Sequence, residues 1–178
     1  MKINKWIIAL GVIGTTAIFL ACTSNKKMSS KVQVVSPFDV KKYTGQWYEI
    51  ARFDFKHEKD MDKVTANYTL KDNGSIEVRN KGFNTKENKW KESVGKAKFN
   101  GPADQGALKV SFFGPFYAEY NVVKLSNDYS TALIFGESTD YIWILSREKK
   151  ISEKTKAEYL DFAKKHGYDI TRLVWTAQ

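Results

Sequence analysis

A single cysteine, Cys22, stands in 178 residues, which excludes an internal disulfide as a source of stability. Histidine is almost as scarce. His57 and His166 are the only two, they do not stand at metal-ligand spacing, and no metal is expected. A glycine-rich phosphate loop of the P-loop or dinucleotide kind is missing, so no nucleotide cofactor is expected either. No catalytic constellation is present, which points away from an enzyme. Internal repeats and low-complexity blocks are lacking after the first few dozen residues. Long apolar runs are lacking too, apart from residues 6–20, where Gly11, Gly14, Thr15 and Thr16 dilute a stretch shorter than the roughly 20 residues a membrane span needs.

That one run follows a basic segment carrying Lys2 and Lys5 and ends in Phe19-Leu20-Ala21-Cys22, the layout of a secretory signal. A cysteine directly after a small residue resembles the lipobox of bacterial lipoproteins, in which the thiol is acylated and becomes the new N-terminus. Each buried methylene is worth about 0.8 kcal/mol, so several acyl chains hold a protein at a membrane where one does so only marginally. Thr23, in place of an aspartate, resembles the signal for release to the outer membrane, where a lipid anchor at the periplasmic face is expected. The alternative is an ordinary signal that leaves a spare thiol. Residues 1–21 are thus expected to be a signal peptide, 22–35 a polar tether and 36–178 one folded domain.

What remains is basic and rich in rings. The formal charge is +9 and aromatic residues make up 14% of the chain. Such a charge favours anionic surfaces. Lys81, Lys86, Lys89, Lys91, Lys96 and Lys98 fall on one predicted hairpin, either a solvated face or a patch for anionic headgroups. Nucleic acid is not an expected partner of an exported chain whose aromatic side chains point inward.

From Gln46 onward about eight period-two segments alternate with turn residues at even spacing, which argues an antiparallel barrel or sandwich. Asp39 can cap a short helix over residues 40–43, and Gly45 frees the backbone to leave it. Val64, Ala66, Tyr68 and Leu70 alternate with polar residues until Asp72-Asn73-Gly74 turns the chain. Ile76, Val78, Asn80 and Gly82 continue on one face; Ser93, Gly95, Ala97 and Phe99 follow after a turn. Leu108, Val110 and Phe112 precede Phe113-Gly114-Pro115, and Phe116, Ala118, Tyr120 and Val122 come next. Segments 129–136 and 141–147 complete the set. Ser152 then caps a helix to His166, with Ala157, Leu160 and Ala163 at helical spacing and a surface of Ile142 and Ile144 to receive it. A short strand over 170–174 closes the chain.

Gly45-Gln46-Trp47-Tyr48-Glu49-Ile50-Ala51-Arg52, Thr139-Asp140-Tyr141 and Arg147 are three separated signatures that together resemble the lipocalins. Residues 108–117 resemble in particular the bacterial outer-membrane lipocalins related to apolipoprotein D. The resemblance covers about 37–175. It implies an all-β fold, an eight-stranded antiparallel up-and-down lipocalin β-barrel with a C-terminal α-helix packed outside. It also gives Gly45, Trp47, Thr139, Asp140, Tyr141 and Arg147 structural roles, with the Arg147 guanidinium stacked on the Trp47 indole at the closed end.

An eight-stranded barrel is just wide enough to be filled by its own side chains or to hold one small ligand. The inward sets mix small residues, which leave volume, with aromatic ones, which give apolar walls. Ala51, Phe53, Ala66, Tyr68, Val78 and Ala97 are expected on that wall, together with Phe99, Val110, Phe112, Phe116, Tyr120 and Trp143. Trp143 shares parity with Arg147, so both point inward. Glu49 shares parity with Trp47, which puts a carboxylate inside unless a bulge shifts the register. His57 lies in a loop over 56–62 that resembles a mobile lid at the mouth. The expected function is a membrane-anchored carrier of fatty acids, lysophospholipids or similar amphiphiles; the alternative is a structural envelope lipoprotein with a filled barrel. A homodimer is left open.

Overall fold

The computed structural model describes residues 32–178, so the signal segment and Cys22 lie outside the described residues. A single helical turn, α1 (Val40–Tyr43), is capped as its sequence requires: the Lys41 backbone N–H donates to Asp39 Oδ1 at 2.9 Å. Gly45 follows with φ +94°, a conformation open to glycine, and a Cβ there would stand 3.4 Å from the Arg147 guanidinium. The chain thereby swings into β1 (Gly45–Phe53).

Seven further barrel strands follow, β2 (Met61–Leu70), β3 (Ile76–Asn84), β4 (Lys89–Phe99), β5 (Ala107–Ser111), β6 (Ala118–Leu125), β7 (Thr131–Phe135) and β8 (Ile142–Ser146). Each pairs antiparallel with the next, β8 pairs with β1, and β1 pairs with β2. The sheet therefore closes on itself and leaves no long free edge around most of its circumference. At the mouth the wall is thinner: β4 pairs with β5 only over Lys96 to Phe99, and its first half continues upward beyond the short β5. Gly95 sits where the two part, and a Cβ there would meet the Ser111 carbonyl at 2.6 Å and the Phe112 ring at 2.7 Å.

The barrel wall divides the apolar residues into an inner and an outer body, and a β-bulge in β1 decides which of them its later residues join. Glu49 is opposite Leu145 and Ala51 opposite Ile144, which leaves Ile50 as the extra residue. Before the bulge Trp47 and Glu49 point into the barrel. Beyond it the parity inverts, so Arg52 points inward while Ala51 and Phe53 pack outside with Leu133, Phe135, Ile142 and Ile144. The expectation that Ala51 and Phe53 line the interior is thus corrected, because strict alternation fails wherever one residue is added. The carboxylate of Glu49 is inside, and the bulge lies just after it.

The outer body is covered by α2 (Glu153–Lys165), capped by the Ser152 hydroxyl, which accepts from Thr155 N–H at 3.1 Å. Its buried side chains are Tyr159 and Ala163 with Phe162 beside them, whereas Ala157 is exposed. The apolar face is therefore turned toward the aromatic residues, which bury more surface than the Ala157 and Leu160 positions expected from spacing. Phe135 is stacked on Tyr168 at 4.1 Å, and the His166 ring donates from Nδ1 to the Phe162 carbonyl at 2.8 Å, closing the helix. A 3₁₀ turn (Ile170–Arg172) intervenes before β9 (Leu173–Trp175), so the closing strand is shorter than expected. β9 pairs with the upper part of β1. The last residues then bridge to β2, with Lys63 N–H donating to the Ala177 carbonyl at 2.7 Å. At the other end, Val32 joins the outer body and Val35 exchanges backbone hydrogen bonds with Val122 and Gly106 at 2.9 Å. Val32 and Val35 thus lie against the barrel, within the segment expected to be a polar tether.

Candidate lipid-binding site

The closed end of the barrel is a stack of rings. Tyr43 lies 4.9 Å from Trp47, 5.1 Å from Phe38 and 5.5 Å from Tyr68, centre to centre. Trp47 Nε1 donates to the Tyr43 carbonyl at 2.8 Å, and Arg147 covers the indole at 3.9 Å. Arg147 also donates to the carbonyls of Lys42, Tyr43, Thr44 and Gln46, so one side chain ties α1, β1 and β8 together. Ala97 and Phe99 belong to this lower, packed part of the interior, with Ile76 and Leu108. They join the inner apolar body without lining the open space above it.

Above this plug the interior opens into a cavity of about 560 Å³. Small-molecule sites span about 300–1,000 Å³, so this one has room for a ligand. Tyr68 and Tyr120 form its floor: the Tyr120 hydroxyl bonds to those of Tyr43 at 2.7 Å and Tyr68 at 2.9 Å. Burial holds all three phenols well above their ordinary titration range, so they remain neutral hydroxyls. Ala66, Val78 and Val110 form the apolar wall with Leu145, and Phe112 and Trp143 reach in from higher up. Phe116 stands at the rim, 79% exposed, beside Phe113 at 71%.

The sequence pattern points to the apolar residues here and to an inward Glu49, but not to Arg52 or Glu58. Glu49 is 3% exposed and Arg52 1%. Arg52 Nη1 donates to Glu49 Oε1 at 2.8 Å, its Nη2 to the Glu58 carbonyl at 2.5 Å, and its Nε stands 3.6 Å from Glu58 Oε2. Trp143 Nε1 completes the group by donating to Glu58 Oε2 at 3.1 Å. Burial pushes both carboxyls above their usual range; Glu58 adds to the effect on Glu49, while Arg52 opposes it. Arg52 and Trp143 thus pin the loop between β1 and β2, which the sequence suggested as a mobile lid. The bulge after Glu49 would have flagged Arg52 as inward, and nothing in the sequence locates that bulge. Asn80 Oδ1 and Ser111 Oγ are buried polar atoms on the wall that have no hydrogen-bond partner among the described residues.

The remaining signature residues fall at the open end. Asp140 is paired with Arg172 at 2.9 Å, bracing the β7–β8 turn against the 3₁₀ segment. Tyr141 follows it onto the cavity wall, and Thr139 sits in the same turn. The lysines of the β3–β4 hairpin are only partly free. Lys89 and Lys91 both pair with Glu87, Lys81 lies over Trp90 at 5.0 Å and Lys98 over Tyr117 at 4.5 Å.

Residues 38–178 match the model of the lipocalin-like domain. The chain is 45% identical to the outer membrane lipoprotein Blc of Escherichia coli K12, over 97% of each. It is 40% identical to that of Vibrio cholerae, over 85% of this chain and 89% of the other, and 34% identical to mouse apolipoprotein D over 79% and 77%. Among solved structures, insecticyanin from the tobacco hornworm Manduca sexta superposes with a TM-score of 0.67 at 21% identity, covering 86% of this chain and 87% of the other. Lobster apocrustacyanin A1 does so with 0.64 at 18%, over 78% of each, and at such identities the likeness establishes the barrel alone. A closed eight-stranded cup, plugged below by Trp47 and Arg147 and matched over nearly its whole length by these relatives, makes this chain a member of the lipocalin family, binding proteins rather than enzymes.

Proposed function

We propose that this lipocalin binds fatty acids, lysophospholipids or similar single-chain amphiphiles in its barrel and serves lipid storage, transport or envelope maintenance. Cys22 is the acylation site and the membrane anchor, and the outer membrane named for the Blc relatives is the location, with the periplasmic face preferred. The observation that carries this reading is the cavity of about 560 Å³, walled by Val78, Val110 and aromatic rings and open at one end. A structural envelope lipoprotein with a filled barrel would have no such space. An acyl chain of ~16 carbons entering it would remove apolar surface worth up to about 11 kcal/mol, from about 14 methylenes at ~0.8 each, less several kcal/mol of ordering. Micromolar or tighter affinity follows.

Protein purified without detergent, examined by native mass spectrometry and lipid extraction, tests the reading. A mass increment of one amphiphile per barrel supports it, and the same spectrum reads out whether two barrels form a homodimer. Protein that carries no lipid and takes up none when offered would leave the filled structural role.

A further inference from the structure

One corner of the cavity, beneath the β1–β2 loop, has a composition that an alkyl tail does not explain. Phe55 stands edge-on to Tyr141 and to Trp143, each at 5.8 Å, and Tyr141 and Trp143 lie nearly parallel at 6.3 Å. All three rings line the cavity. The bond from Trp143 Nε1 fixes the Glu58 carboxylate beside them. Glu49 is on the same wall, so two carboxylates share the one guanidinium of Arg52, whose Nη1 donates to Glu49 and whose Nε stands 3.6 Å from Glu58, while Nη2 is taken by the Glu58 and Met61 carbonyls. Glu137 adds a further acidic group from the β7–β8 turn.

Beyond Arg52, the lysines that line the cavity are engaged elsewhere. Lys81 and Lys91 reach the cavity from the β3–β4 hairpin, where one covers Trp90 and the other is held by Glu87.

We propose that this corner is a subsite for the ammonium head of a single-chain amphiphile, with Glu58 as its counter-ion and Phe55, Tyr141 and Trp143 as its cation-π surface. The proposal rests on the lipid-carrier reading and deepens it by naming the headgroup. An ammonium entering here meets a carboxylate and ring faces that carry negative potential. A carboxylate head meets the same groups as repulsion in a desolvated setting, so the site discriminates against free fatty acids by their heads while accepting their tails.

The test compares dodecyltrimethylammonium, dodecylamine and dodecanoate, all below their micelle concentrations, by calorimetry on the delipidated protein. Both cationic amphiphiles are expected to bind at least about tenfold tighter than dodecanoate. Glu58→Gln is expected to remove most of that preference and to leave dodecanoate unchanged or tighter. Because Glu58 also holds its loop, Tyr141→Leu provides a second reading, which should weaken dodecyltrimethylammonium and spare dodecanoate. Dodecanoate binding as tightly as the amines, or Glu58→Gln and Tyr141→Leu weakening all three alike, would overturn the subsite and leave the carrier intact. Failure of all three to bind the wild-type protein would remove the carrier reading and the subsite together.

Discussion

The guanidinium of Arg147 lies 3.9 Å from the centre of the Trp47 ring and donates at the same time to four backbone carbonyls of the segment 42–46. The two residues stand a hundred positions apart in sequence, so this contact joins the first and last strands of the barrel at its closed end. Replacing Arg147 by Met removes the cation and leaves those carbonyls to be met by water or not at all. A loss of roughly 2–4 kcal/mol is expected. Arg147→Lys should recover less than half of it, because an ammonium cannot reach several carbonyls from one plane. Urea unfolding of the three proteins measures both.

Tyr120 is the hub of the floor, since its hydroxyl is the partner of both Tyr43 and Tyr68. Tyr120→Phe leaves two buried hydroxyls without that partner and should cost about 1–3 kcal/mol. Tyr43→Phe, which removes only one arm of the group, should cost less. Equal losses in denaturant titrations would show that the hydroxyl group is not shared as the geometry indicates.

Phe53 belongs to the outer apolar body of the protein. It is 1% exposed and packs outside the barrel, 6.2 Å from Tyr168 and beneath Arg172. Phe53→Ala should destabilise the protein by about 3–5 kcal/mol, as large core truncations do, with ligand affinity unchanged. A loss of affinity without a loss of stability would return Phe53 to the cavity wall.

Most of the barrel was legible because each strand obeys period two on one face. Val64, Ala66 and Tyr68, or Ile76 and Val78, need no structure to be assigned inward. Arg147 and Trp47 were legible through resemblance, and Ile142 and Ile144 through the need of the helix for an apolar floor. The failures have separate causes. An added residue such as Ile50 in β1 has no mark in the sequence, yet it reverses every side chain after it, taking Ala51 and Phe53 out of the cavity and putting Arg52 in. Ala97 and Phe99 have the expected parity, but parity does not say at what height along the strand the packed plug gives way to open space. The ion group of Glu49, Arg52 and Glu58 spans the bulge and a loop, where no periodicity connects its members.

The raised carboxyl of Glu49 has a consequence for pH. A group whose folded pKa exceeds its unfolded one binds more protons in the native state, so its contribution to stability is present at low pH and is lost as pH rises through the folded value. Wild-type protein should therefore lose stability relative to Glu49→Gln as pH climbs above the ordinary carboxylate range. The glutamine keeps an acceptor for Arg52 Nη1. Melting curves that stay parallel across this window would contradict the assignment.

Trp143 reports on the cavity from within, through its bond to Glu58, while Trp47 is sealed in the plug at 0% exposure. An amphiphile should change the tryptophan emission of the wild-type protein, and Trp143→Phe should abolish most of that change.

Occupancy of the cup is tested most directly by titrating delipidated protein with a 16-carbon lysophospholipid, followed by calorimetry, beside a Val78→Trp variant that fills the cavity from its wall. Saturation at one ligand per barrel with micromolar or tighter affinity, lost or weakened at least about tenfold in a folded Val78→Trp, is the expected outcome. Absence of heat in the wild type, or undiminished affinity in the filled variant, would show that the hollow of this barrel is not where lipid binds.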